Sequence, residues 1–359
     1  MTIHRWTHAP IGADVEVALA RLAALDDVAH IAVMPDVHLA HDVCIGTVVA
    51  TRRWLLPQAI GGDVGCGVAT MRVAGEAAAV RAHGDHILSA LASAVPIHRH
   101  RRRGSPPDAD GLPAPLARLA RREGSVQLGT IGRGNHFLEL QADDQGRLWI
   151  MVHTGSRAMG PAIQAHHRAL ARNEGRFEVL DADTDAGRAY LRDLAWAERW
   201  ATESRQRALA ATAHVLHDVL GFLPEPDTLV DCHHNHVQRI DGLWVHRKGA
   251  ISARRGEQGL IPGSMGDPTF HVEGRGLADA LWSSSHGAGR QMSRTEARQR
   301  ISAADLRRRM QGVCFDDARA ARLTEEAPGA YKDIGAVMRA QRDLTRVVRR
   351  VTPVLCHKG

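Results

Sequence analysis

Aromatic side chains supply only 4% of this 359-residue chain, too few for the stacked platforms that grip single-stranded nucleic acid base by base. Cysteine is sparse as well. Cys44, Cys66, Cys232, Cys314 and Cys356 are odd in number and widely scattered, which is no disulfide framework and points to a reducing compartment. No apolar run approaches the length that spans a bilayer, and the opening Met1-Thr2-Ile3-His4-Arg5-Trp6 has no apolar signal core. The expectation is a cytoplasmic protein with no membrane partner. A Gly-x-x-x-x-Gly-Lys-Ser/Thr phosphate loop is missing, and Gly129-Thr130-Ile131-Gly132-Arg133-Gly134 has the wrong glycine order for a dinucleotide-binding turn.

What is present is positive charge and an ample core. Hydrophobic residues make up 44% of the chain, enough for a large soluble interior. Lys and Arg number 46 against 40 Asp and Glu, a net charge of +6, and the sequence pI is near 9.5. Arginine carries nearly all of it, and its guanidinium fork binds phosphate bidentately. That balance is compatible with RNA, DNA or nucleotides, and equally with the arginine and alanine excess of a high-GC genome.

The patterning predicts an amphipathic helix over residues 14–25, a buried strand over 31–34 stopped by Pro35, and a strand over 46–51. Residues 76–95 read as helical. A basic, proline-bearing surface loop follows over about 98–115, opening with His98-Arg99-His100-Arg101-Arg102-Arg103 and best explained as a solvated charge run. A long scaffold helix is expected over 187–220. Ser293-Arg294-Thr295-Glu296 promises a capped helix start. No repeat and no compositional break divides the chain, so one α+β domain, with sheets flanked by helices, is expected.

The chemistry concentrates in glycine-rich segments. Cys66 lies three residues after Asp63 in Gly61-Gly62-Asp63-Val64-Gly65-Cys66-Gly67. Histidines arrive in similarly compact settings at Gly134-Asn135-His136-Phe137, Val152-His153-Thr154-Gly155, Cys232-His233-His234-Asn235 and Ser284-Ser285-His286-Gly287. Most of the 22 histidines must be surface or packing residues, and no paired Cys-x-x-Cys or His-Glu-x-x-His spacing marks a metal site locally. A set of thiolate, imidazole and carboxylate still suits Mn²⁺, Fe²⁺, Co²⁺ or Zn²⁺ and disfavours Mg²⁺ or Ca²⁺. Five or more candidates exceed one tetrahedral site, so two ions sharing the Cys66 sulfur are expected. Asp36 and His38 in the loop after Pro35 could support that site or simply cap the loop. Leu260-Ile261-Pro262-Gly263-Ser264-Met265-Gly266, residues 283–290 and Cys356-His357-Lys358-Gly359 offer backbone amides and cations to a phosphate. His246-Arg247-Lys248-Gly249-Ala250 could line the same pocket or serve structure alone.

In this order, over nearly the whole chain, these segments resemble the RtcB-type RNA ligases, the GTP-dependent tRNA-splicing and RNA-repair enzymes. Met34-Pro35-Asp36-Val37-His38, Gly62-Asp63-Val64-Gly65-Cys66-Gly67, Asn135-His136-Phe137-Leu138-Glu139, His153-Thr154-Gly155-Ser156-Arg157, Pro262-Gly263-Ser264-Met265-Gly266, His286-Gly287-Ala288-Gly289-Arg290 and Ala330-Tyr331-Lys332-Asp333 carry the likeness. The resemblance implies two Mn²⁺ ions on Asp63, Cys66, His136, His153 and His234, with Cys66 shared, and His286 as the guanylylated nucleophile. It implies a GTP site formed by Asn135, His136, Phe137, Leu138, Glu139, His234, Asn235, Pro262, Gly263, Ser264, Met265, Thr269, His286, Gly287, Ala288, Gly289 and Lys358. It further implies an RNA substrate with a 3′-phosphate or 2′,3′-cyclic phosphate end and a 5′-hydroxyl end, and an archease-type activator as partner. The chain departs from the common pattern at Arg133, at Ala158-Met159-Gly160 and across Leu39-Ala40-His41-Asp42-Val43-Cys44, and is shorter than typical members. A dinuclear-metal phosphoesterase and a weakly active RNA-binding paralogue are the alternative readings.

Overall fold

The computed structural model describes residues 1–101, 104 and 108–359. Arg102, Arg103, Ser105, Pro106 and Pro107 of the expected basic loop lie outside the described residues. The architecture is α+β. Its largest element is an eight-stranded sheet in the order Leu223–His233, Gly67–Glu76, Arg147–Thr154, Phe137–Asp143, Thr345–Lys358, Thr269–Gly274, Gln258–Ile261, with Cys314–Phe315 paired beside Thr345–Lys358. A second sheet runs Thr2–Arg5, Val28–His38, Ile45–Thr51, Leu243–Lys248, Asn235–Ile240.

The long helix spans Asp185–Leu220, two residues earlier than its periodicity suggests. Thr184 begins it, accepting a hydrogen bond from the Gly187 amide, and left-handed Gly221 (φ 73°) ends it. Its second half buries Ala208, Leu209, Ala213 and Leu216 against Ala69, Val73, Ile150 and Val152 of the large sheet. Its first half packs Tyr190, Leu194 and Trp200 against Ile60, Val64 and Met159. The helix therefore braces both the sheet and the loop carrying Asp63 and Cys66. Among the described residues no helix is long and apolar enough to cross a membrane.

Two local expectations need correction. Pro35 does not stop its strand: Val28–His38 runs through it. The pairing with Ile45–Thr51 slips between Val33 and His38, so the missing proline N–H costs no ladder bond. Residues 76–95 are not one helix but Ala77–Ala82 and Gly84–Ala94, broken at His83. The Ser293 cap forms as expected, its hydroxyl accepting from the Glu296 amide at 3.1 Å.

Candidate metal and nucleotide centre

Strand register explains why distant donors meet. Gly67 pairs with Thr154 on one side and with His233 on the other, and Phe137 pairs with His153. Cys66, His136, His153 and His234 therefore all emerge at one end of the large sheet. Cys66 Sγ lies 3.4 Å from His136 Nε2 and 3.3 Å from His153 Nε2, and His136 Nε2 lies 2.9 Å from Asp63 Oδ2. Two groups result: Asp63, Cys66 and His136, and Cys66, His153 and His234, with donor atoms of each group within 4.8 Å of one another. Cys66 belongs to both. Gly155 is required here, since a Cβ on it would meet the Asp63 carboxylate at 2.4 Å.

The protonation states suit ligation. His136 Nδ1 donates to the Ile131 carbonyl at 3.0 Å, which makes Nε2 the nitrogen that faces sulfur and carboxylate. Burial, then the neighbouring cationic and imidazole groups, depress the pKa of His153 and His234 well below the usual histidine value, so both are neutral. His234 Nδ1 is buried with no hydrogen-bond partner. Burial and the Asp63 charge push the Cys66 thiol up, so a metal binding there displaces a proton. Burial also pushes the Asp63 carboxyl up, but the His136 hydrogen bond and charge outweigh it and hold that group below the usual range. Thiol, imidazole and carboxylate in this arrangement fit a first-row transition ion.

A cavity of about 750 Å³ opens beside these donors. His286 stands in its wall, after the strand Ser283–Ser285. The His286 ring centroid is 4.7 Å from that of His234. Its Nδ1 donates to Asp36 Oδ2 at 2.7 Å, and its backbone N–H reaches the same oxygen at 3.2 Å. Asp36 is fully buried, and this bond places a proton on Nδ1 and fixes the orientation of the ring. Gly289 (φ 73°) lets the loop close over the aspartate: a Cβ there would lie 2.2 Å from the Asp36 carbonyl oxygen. Lys332 donates from Nζ to the carbonyls of Pro35 and Val37, pinning the loop.

Comparison with known proteins settles the family. The family model described as tRNA-splicing ligase RtcB matches residues 18–112 and 109–359. RNA-splicing ligase RtcB1 of Escherichia coli (strain ATCC 25922) is 37% identical over an alignment of 399 positions that covers 99% of this chain and 97% of that protein. RNA-splicing ligase RtcB of Escherichia coli (strain K12) is 36% identical over the same shares. The chain belongs to the RtcB family. A more distant relative, tRNA-splicing ligase RtcB of Nanoarchaeum equitans, is 31% identical over 68% of this chain and 62% of its own length.

Of the nucleotide-site residues expected of an RtcB-type chain, Asn135, Phe137, Pro262, Gly263, Ser264, Met265, His286, Gly287, Ala288, Gly289 and Lys358 line the cavity. Leu138 turns its side chain into the core beneath the sheet, leaving only its backbone near the site. Glu139 and Thr269 are buried and joined through Gln141, whose Nε2 donates to Glu139 Oε2 at 2.8 Å and to Thr269 Oγ1 at 3.0 Å. Burial pushes the Glu139 carboxyl up to about 8. Asn235 ties loops together: its Nδ2 donates to the Asp63 carbonyl at 3.1 Å and its Oδ1 accepts from the Gly249 amide at 2.9 Å.

The segment 246–250 serves structure. Arg247 is fully buried on Ser283 Oγ and His236 Nε2, and Lys248 Nζ donates to the Val43 carbonyl at 2.7 Å. One residue of the cavity wall had no sequence signal. Glu326 accepts from Arg290 Nη1 at 3.1 Å, Arg294 Nε at 3.3 Å and the Tyr331 hydroxyl, and lies 3.5 Å from Lys358 Nζ. Burial pushes its carboxyl up, but Lys358, Tyr331 and Arg290 prevail and hold it below the usual range. It anchors the cations that face the cavity.

Proposed function

We propose that this RtcB-family chain is an RNA ligase that joins a 3′-phosphate or 2′,3′-cyclic phosphate end to a 5′-hydroxyl end, through GTP and a guanylylated His286. The observation carrying this reading is the placement of an Asp36-oriented imidazole against two donor groups that share Cys66. Two Mn²⁺ ions, one on Asp63, Cys66 and His136 and one on Cys66, His153 and His234, would supply neutralisation of phosphate charge. The names of the Escherichia coli relatives support ligation of RNA.

The chain's own groups then divide the work. Asp36 accepts the hydrogen bond from Nδ1–H and holds the ring, so Nε2 of His286 attacks the α-phosphorus of GTP and pyrophosphate leaves. As the P–N bond forms, the imidazolium it creates is stabilised by the buried Asp36 carboxylate. Asn135 and the backbone of residues 262–265 and 287–289 hold the nucleotide, with Lys358 and Arg290 adding charge for phosphate oxygens. GMP passes from His286 to the RNA 3′-phosphate, and the 5′-hydroxyl of the second end displaces it. A cyclic phosphate is hydrolysed to the 3′-phosphate beforehand.

Incubation with α-labelled GTP and Mn²⁺ tests the reading. The parent is expected to carry a covalent, acid-labile label that His286→Ala loses. A parent that opens cyclic phosphates without ever being labelled would instead be a phosphoesterase, which has no use for an oriented His286.

A further inference from the structure

We propose that Arg205 is the positioning residue that assembles both metal-donor groups from outside them. This inference rests on the metal-binding reading above and adds to it a residue that touches no ion. Arg205 sits within the long helix Asp185–Leu220 and its side chain is completely buried. A guanidinium taken out of water is tolerated only when its N–H groups are matched by acceptors.

The acceptors are where the donors begin and end. Arg205 Nη1 donates to the Gly65 carbonyl at 2.8 Å and to the Thr154 carbonyl at 3.0 Å. Gly65 immediately precedes Cys66, and Thr154 immediately follows His153. Arg205 Nε donates to Asp231 Oδ1 at 2.7 Å, and Nη2 reaches Thr202 Oγ1 at 3.4 Å and lies 3.3 Å from His233 Nδ1. His233 Nδ1 in turn donates to the Gly65 carbonyl at 3.0 Å, and His233 immediately precedes His234. One planar group thus holds three separate chain segments in the register that brings Cys66, His153 and His234 together.

The surrounding sequence is shaped to admit it. A Cβ on Gly67 would stand 3.1 Å from Arg205 Cζ and 2.4 Å from the Cys232 carbonyl oxygen. A Cβ on left-handed Gly65 (φ 67°) would stand 2.9 Å from the backbone of Glu198 on the same helix. Glycine at both positions lets the helix and its arginine approach the loop. A lysine keeps the charge but has no fork to bridge two carbonyls. The geometry of the fork, rather than its charge, sets the donor spacing.

The test is a Co²⁺ titration of the full-length protein, read by the thiolate-to-Co²⁺ charge-transfer absorption, with folding followed separately by circular dichroism. The Arg205→Lys variant is expected to fold and to bind Co²⁺ about 10- to 100-fold more weakly, with a weakened thiolate band. Asp231→Asn, which removes the charge from one side of the fork, is expected to lose less. Arg192→Lys, on the same helix away from the donors, is expected to match the parent. A parent with no thiolate band would refute the metal reading itself. A parent with the band, beside folded Arg205→Lys of unchanged Co²⁺ affinity, would overturn the role of Arg205. Should Arg205→Lys fail to fold, unchanged affinity in Asp231→Asn overturns that role instead.

Discussion

The two ends of the large sheet are built on opposite principles. At one end Asp143 is saturated: Oδ1 accepts from the amides of Gln145 and Arg147, and Oδ2 accepts from Arg147 Nε at 2.7 Å and Trp149 Nε1 at 3.1 Å, with Arg349 Nε 3.7 Å away. Burial pushes this carboxyl up, but those hydrogen bonds prevail and hold it below its usual range. At the other end Cys66, His153 and His234 are buried close together, and burial holds all three in their uncharged forms. The first end stabilises the fold. The second end keeps lone pairs uncommitted, and the rigidity that tolerates this comes from elsewhere in the same strands. Burying polar groups without partners is costly, a cost that Asp143 avoids and that the donor end bears.

Substitutions should separate the two ends. The largest effect is expected from His286→Ala, which should abolish covalent labelling by GTP while leaving the unfolding temperature close to that of the parent. Cys66→Ala should reduce bound metal from two ions per chain to one or none, measured by elemental analysis after Mn²⁺ loading and desalting. A variant retaining two ions would break the idea of a shared sulfur. Asp36→Asn should slow guanylylation by roughly 10²-fold through misorientation of the ring, with metal content unchanged. At the opposite end, Asp143→Ala should cost about 1–3 kcal/mol in denaturant unfolding, because it strands the Trp149 N–H in the interior. Its metal content should stay at the parental value.

The last effect concerns pH. Glu139 has a folded-state pKa of about 8, raised above the roughly 4.3 of an unfolded glutamate. The folded state therefore holds this proton more tightly, and the associated stability is fully present below the unfolded value. It is lost as pH rises towards and through 8. Unfolding temperatures from pH 5 to 9 should fall less steeply in Glu139→Gln than in the parent. Parallel profiles would show that Glu139 ionises elsewhere in the range.

Much of this was legible from residues alone. The long helix follows from its apolar spacing, and the donor segments stand out because glycines sit close to Cys66, His136, His153 and His286. Pairings across the chain were not legible. Asp36 sits in a loop whose simplest role is capping, and only folding reveals that it lies 250 residues from its partner His286 in sequence and 2.7 Å away in space. Glu326 ends the short helical turn Thr324–Glu326, with no neighbouring histidine or cysteine to flag it. Its role exists only because Arg290, Tyr331 and Lys358 arrive there from three other segments. Arg205 was hidden differently, as one arginine among many on a helix whose period accounts for every neighbour. Pro35 misled for a local reason, since its strand can slip register there.

Strand Thr345–Lys358 lies in the interior of the large sheet, between Phe137–Asp143 and Thr269–Gly274, and brings Lys358 to the cavity. Both neighbours leave the ribosome well before it and must wait for it before either is fully paired. A nascent polypeptide still lacking this segment would expose two open strand edges to the crowded interior of a cell. Ribosomal stalling or premature termination upstream of residue 345 is thus expected to yield chaperone clients, with no partly working enzyme among them.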